Sequence, residues 1–156
     1  MTTKDVLIHW ALAQVGKPYI WEGDGSARFF GGYDCSGFAQ DFYAILGIDP
    51  PGDQTAQGYY DHWWPVVDKQ CYHIAKSKVG FGDMLFFGMD RNHISHVAIA
   101  LTRHVLIEAG GGGSNCTTLQ KADELCARVR LRPIRLRKDF QVAIRPYHFT
   151  EQIIHQ

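Results

Sequence analysis

The stretch "GYDCSGF", Gly32 to Phe38, sets a cysteine between an aspartate and a Ser-Gly pair. A cysteine acts as a nucleophile in its thiolate form, and the unpaired N–H groups and positive dipole end at the start of a helix stabilise that anion. Phe38, Phe42, Ile45 and Leu46 recur at helical spacing, and Gly47 suits the residue just past a helix end. Together they predict a helix opening at about Cys35. Ser36 and Gly37 are small enough to leave room for a substrate carbonyl, and the free N–H groups of the first turn are positioned to stabilise an oxyanion. The ordinary alternative is a buried cysteine without chemistry. Which reading holds depends on its partners.

A cysteine nucleophile needs a histidine within hydrogen-bond reach and a third group to orient that histidine. Among the eight histidines, His96 opens "HVAIAL", where alternation puts Val97, Ile99 and Leu101 on one face and His96, Ala98 and Ala100 on the other. The two alanines predict that a helix packs closely on the His96 face and so brings Cys35 to it. In the next strand, "HVLIEA", His104, Leu106 and Glu108 fall on the histidine's face. A three-residue connection centred on Thr102 sets Glu108 directly opposite His96, with Cβ atoms about 4.5–5.5 Å apart. There a carboxylate holds an imidazole and favours its charged form. A two-residue connection would turn Glu108 to the other face.

A chain of 156 residues holds one domain with a full core, here taken as 1–156. Positive and negative side chains number 16 each, which gives no general reason to expect nucleic acid or anionic lipid as a partner. No apolar run approaches the roughly 20 residues of a membrane helix, so no membrane insertion is expected. Asp5, His9 and Gln14 interrupt the N-terminal apolar stretch, which therefore lacks a secretory leader's pattern and implies synthesis in the cytoplasm. Cys35, Cys71, Cys116 and Cys126 contain no CxxC pair. Free thiols and no metal are expected, with a Cys116–Cys126 disulfide left open by the spacing.

The coarse order is helices first and strands afterwards, an α+β arrangement with N-terminal helices on a mostly antiparallel sheet. Thr2 to Asp5 has the form of a capping box, followed by Val6, Trp10 and Ala13 at helical spacing. Asp49 to Lys78, including "YYDHWWPVV", reads as loop and short helical turns. Strands are expected at Met84–Phe87, His96–Leu101, His104–Ala109, 127–137 and 141–145.

"GKPYIW", "YDCSGF", "GDMLFF", "ISHVAIAL" and a polar residue 12 positions after the histidine, taken together, resemble the NlpC-type cell-wall cysteine peptidases, a compact papain-like group. The resemblance covers roughly Val15 to Ala109. It implies Cys35 as nucleophile, His96 as base and Glu108 as orienter, with Tyr19 beside the oxyanion and Asp34 and Ser36 shaping the pocket and touching substrate. No cofactor is implied. The implied substrate is the peptidoglycan stem peptide, cleaved at a D-γ-glutamyl–diaminopimelate type of bond. Without a leader, the chain is expected to be a phage or prophage product, acting at the wall from a tail or after holin release. The alternatives are a non-catalytic tail-tip component of the same fold, or an amidase or acyltransferase using the same triad. Two local departures stand out. Glu108 replaces the family's more usual His, Asn or Gln, and "WEGDGSARFFGG" differs from the usual Trp-Gly-Gly loop.

The other features have plain readings. Gly110–Gly113 is either part of a substrate cleft or a loop without contacts. The His93–His96 pair is an improbable metal site. In "ARVRLRPIRLRK" the arginines read as a solvated strand face, with contact to an acidic polymer or another subunit as the alternative.

Overall fold

In the computed structural model, residues 1–63 and 71–146 are described. The first helix, α1 (Thr3–Gln14), starts as its capping box requires. Asp5 N–H donates to Thr2 Oγ1 at 3.1 Å, and Thr2 N–H donates to the Asp5 carboxylate at 2.8 Å. Its buried residues are Leu7, Ala11 and Gln14 rather than Val6, Trp10 and Ala13, and Val6 is exposed. Apolar residues surround almost the whole helix, so its rotation is set by what it packs against. Trp10, half-buried, stacks on Phe38 with ring centroids 5.6 Å apart.

The second helix, α2 (Cys35–Ala44), opens at Cys35 and is followed by Gly47 in the left-handed region at φ 69°. The segment expected to be loop and short helical turns contains an eight-residue helix, α3 (Ala56–Trp63), and a short strand, β1 (Cys71–Ile74), that was not expected. The period of α3 was hidden because Tyr59, Tyr60 and Trp63 all bury inside a run that also carries Gly58 and Asp61. The rest of "YYDHWWPVV", from Trp64 on, lies outside the described residues. Strands β2 (Met84–Asp90), β3 (His93–Ala100) and β4 (Val105–Gly110) follow, then α4 (Leu119–Glu124), β5 (Arg128–Pro133) and β6 (Phe140–Pro146). Helix α4 was not expected. Thr118 caps it by accepting from Lys121 N–H at 3.1 Å. The strand expected over 127–137 stops at Pro133, which has no N–H for the ladder, and turns into a 3-10 turn at Ile134–Leu136.

Among the described residues six strands form one antiparallel sheet in the order β1-β6-β2-β3-β4-β5. Helix α2 packs on the face made by Val97, Ile99 and Ile107, and its Phe38, Ala39 and Phe42 complete the main core there. This reverses the expectation that it would lie on the alanine face. The branched face buries more apolar area against aromatic side chains, and burial area decides the packing. The Ala98 and Ala100 side instead meets Leu85, Phe87, Leu106 and Ile134 in a second, smaller cluster. Among the described residues no helix is long and apolar enough to cross a membrane.

Candidate active site

The N-terminus of α2 is held by its cap. Asp34 accepts from Gly37 N–H at 2.7 Å and from the Ser36 hydroxyl at 3.2 Å. Burial pushes Asp34 up to about 6 even though both hydrogen bonds favour its charged form. The space beside Gly37 belongs to the protein: a Cβ there would lie 2.1 Å from the Gly23 carbonyl, so the glycine admits the preceding loop and not a substrate carbonyl. That loop is tied down by Asp34 N–H, which donates to Gly23 O at 3.0 Å. Gly37 and Phe38 spend their N–H groups on Asp34, whereas those of Cys35 and Ser36 have no acceptor among the described residues. Tyr19 is buried beside Cys35. Its phenol is pushed upward by burial first and by the nearby Cys35 and Asp34 second.

His96 and Glu108 meet, by a different route from the expected one. Strands β3 and β4 pair Ile99 with Ile107 and Ala100 with Leu106, so the turn is centred on Arg103 and the position opposite His96 is Gly110. Glu108 is thus the diagonal neighbour. The shift from the expected register is two residues, which preserves the face, and a glutamate is long enough to span the diagonal. Its Oε2 lies 2.6 Å from His96 Nε2. The other ring nitrogen, Nδ1, is left free of Glu108, and His96 shares one cleft with Cys35, whose side chain favours the charged imidazole. Burial disfavours the charged imidazole, but the neighbouring Cys35 and the Glu108 bond outweigh it and raise His96 to about 9. Burial likewise pushes Glu108 up, yet the His96 hydrogen bond and the charges of His96, Arg130 and Arg137 bring it down to about 2.

Glu108 is completely buried, and three arginines surround it. Arg130 Nε donates to Oε1 at 3.1 Å, Arg132 lies 3.6 Å from Oε1 and Arg137 lies 3.7 Å from Oε2. The solvated-face reading of this arginine run therefore fails for Arg130, Arg132 and Arg137. The signal was present in the sequence as alternate arginines on a strand, but it becomes meaningful only once β5 is known to pair with β4 and to set Arg130 against Glu108.

Tyr19, Asp34, Cys35, Ser36 and His96 all line one cleft of about 490 Å³. Glu108 stands behind His96 and is not part of the lining. Gly110 to Gly113 form one wall, and Gly112 lies against the Tyr19 ring, where a Cβ would sit 2.2 Å from Cδ1. Trp21 and Glu22, the start of the departing "WEGDGSARFFGG" loop, also line it, as does the Asp53–Ala56 segment, which was not singled out from the sequence. His93 pairs with Asp90 at 2.8 Å, and among the described residues no group of three or more His, Cys, Asp or Glu side chains is arranged to hold a metal. Cys116 and Cys126 are both free thiols.

A helix-borne cysteine facing a histidine on an antiparallel sheet, in this order of elements, defines a papain-like α+β fold. Residues 16–127 match the NlpC/P60 family, and the chain belongs to that family. It is 35% identical over 97 residues to the gamma-D-glutamyl-L-lysine dipeptidyl-peptidase of Bacillus cereus, covering 61% of this chain and 25% of that protein. It is 33% identical over 109 residues to the probable endopeptidase YafL of Escherichia coli, covering 67% of this chain and 39% of that one. The chain therefore spans well under half the length of either relative. Its fold is shared with RipD of Mycobacterium tuberculosis, a non-catalytic NlpC/p60 domain protein adapted to peptidoglycan binding, at a TM-score of 0.62 and 22% identity over 93% of this chain and 97% of that one.

Proposed function

We propose that the chain is a cysteine peptidase that cleaves peptidoglycan stem peptides at a D-γ-glutamyl bond to a diamino acid. The observation that carries this reading is Cys35 at the start of α2 sharing one cleft with His96, whose ring Glu108 holds at 2.6 Å. The Cys35 thiolate attacks the scissile carbonyl carbon while His96 holds the proton. The oxyanion forms beside the N–H groups of Cys35 and Ser36 and the Tyr19 hydroxyl. As the C–N bond breaks, His96 gives its proton to the leaving amine; it then takes one from the water that attacks the thioester and releases the acid. Glu108 orients the ring and stabilises the imidazolium when it carries the proton. Asp34 and Ser36 shape the pocket next to the nucleophile. The substrate puts the place of action at the cell wall. The name of the Bacillus cereus relative supports the γ-D-glutamyl bond, with lysine as the next residue in that protein.

The test is mass spectrometry of stem peptides containing diaminopimelate or lysine, incubated with the wild-type and Cys35→Ala chains. Wild type is expected to cut at the γ-glutamyl bond, and Cys35→Ala to lose at least about a thousandfold in rate. Equal cleavage by both chains would overturn the mechanism. Binding of peptides without cleavage would replace it with a role like that of RipD. Products of amide transfer or of another bond would turn it into an acyltransferase or amidase.

A further inference from the structure

We propose that Arg130, supported by Arg132 and Arg137, balances the charge of Glu108 so that this buried carboxylate orients His96 without locking the imidazole in its charged form. The inference rests on the peptidase reading, in which His96 must surrender its proton to the leaving amine. A buried carboxylate facing a single imidazole favours proton retention, and cations on its far side weaken that hold through Coulomb attraction.

The geometry distributes the work. Arg130 is the cross-strand partner of Glu108, and its Nε and Nη2 both reach Oε1 at 3.1 Å, which leaves Oε2 for His96. Arg137 reaches Oε2 while its own guanidinium is fixed by Asp139 at 2.9 and 2.6 Å. It also lies 4.5 Å over the Phe87 ring, which packs 5.8 Å from the ring of His96. The charged or titratable groups grouped about His96 are Cys35 from α2, Glu108 from β4, Arg130 and Arg132 from β5, and Arg137 and Asp139 from the segment entering β6, with Tyr19, Glu22, Asp34 and Asp53 elsewhere in the cleft lining. Arg130 is a positioning residue, acting on the imidazole through Glu108.

The experiment is an NMR titration of histidine labelled with carbon-13 in the ring, the His96 signal being identified by its loss in His96→Gln. Arg130→Met is expected to raise the His96 midpoint by about one pH unit. Arg130→Lys, which keeps the charge, is expected to titrate with wild type. An unmoved midpoint in Arg130→Met overturns the proposal. So does an equal rise in Arg130→Lys, which would make bond geometry and not charge the cause. If Arg130→Met does not fold, Arg132→Gln removes a more distant cation from the same carboxylate, and a smaller rise or no movement decides in the same way. The titration reads the couple whether or not stem peptides are cut, so a failure of the peptidase reading shows only in the cleavage assay.

Discussion

His96 and Glu108 are ionised together over a definite pH window. Glu108 drops from an ordinary 4.5 to about 2 in the folded chain, so its contribution to stability is complete above 4.5 and is lost as pH falls toward 2. His96 rises from 6.5 to about 9, so its contribution is complete below 6.5 and is lost as pH rises through 9. The urea midpoint of wild type is therefore expected to be highest between these limits and to decline from pH 6.5 to 9. In His96→Gln the alkaline decline should disappear, and a wild-type midpoint that stays flat over that range would contradict the pairing. At this scale the sequence was informative about residue type. Cys35, His96 and Glu108 could be proposed as a set because few side chain types suit such chemistry and strand alternation keeps two of them on one face. Arg130, Arg132 and Arg137 could not, because an arginine on a strand looks the same whether it faces water or a buried carboxylate.

The elements fix how closely groups can approach, and the Gly110–Gly113 segment is the sharpest case. It carries the chain from β4 past the Tyr19 ring, and any side chain at 112 would occupy the space of that ring. Gly112→Ala is expected to displace Tyr19 and lower kcat/KM for a stem peptide by about tenfold to a hundredfold. Its far-UV circular dichroism should remain that of wild type, and undiminished turnover would remove the loop from the site. The capping box of α1 and the start of α2 were legible because caps are local, settled by a hydrogen bond across three residues. The rotation of α1, the face on which α2 packs and the β3–β4 register were not. Each depends on a surface supplied by a distant part of the chain.

The whole molecule is held together partly by an ion pair between a buried acid and a half-buried arginine, neither of them in the cleft lining. Asp83, completely buried where β2 begins, takes two bonds from Arg145 on β6 at 2.6 and 2.8 Å and one from Gly80 N–H at 2.8 Å. Nearby, the buried Tyr43 hydroxyl of α2 donates to Gly82 O at 2.8 Å, tying the helix to the same end of the sheet. Arg145→Met leaves the buried Asp83 carboxyl without its cation and is expected to cost about 1–3 kcal/mol in urea unfolding. The double variant with Asp83→Asn should recover part of that loss; if it is no more stable than Arg145→Met, the cost is packing and not charge. On its own the sequence determined the α+β class, the helix that presents Cys35 and the parity that puts His96 and Glu108 on one side of the sheet. Those features follow from periodicity and caps, which act over a few residues. Tertiary structure alone decided that Glu108 reaches His96 along the diagonal, that Gly37 makes room for Gly23 and that three arginines gather round a buried acid. Such contacts join positions far apart in the chain, and no local pattern records the register that brings them together.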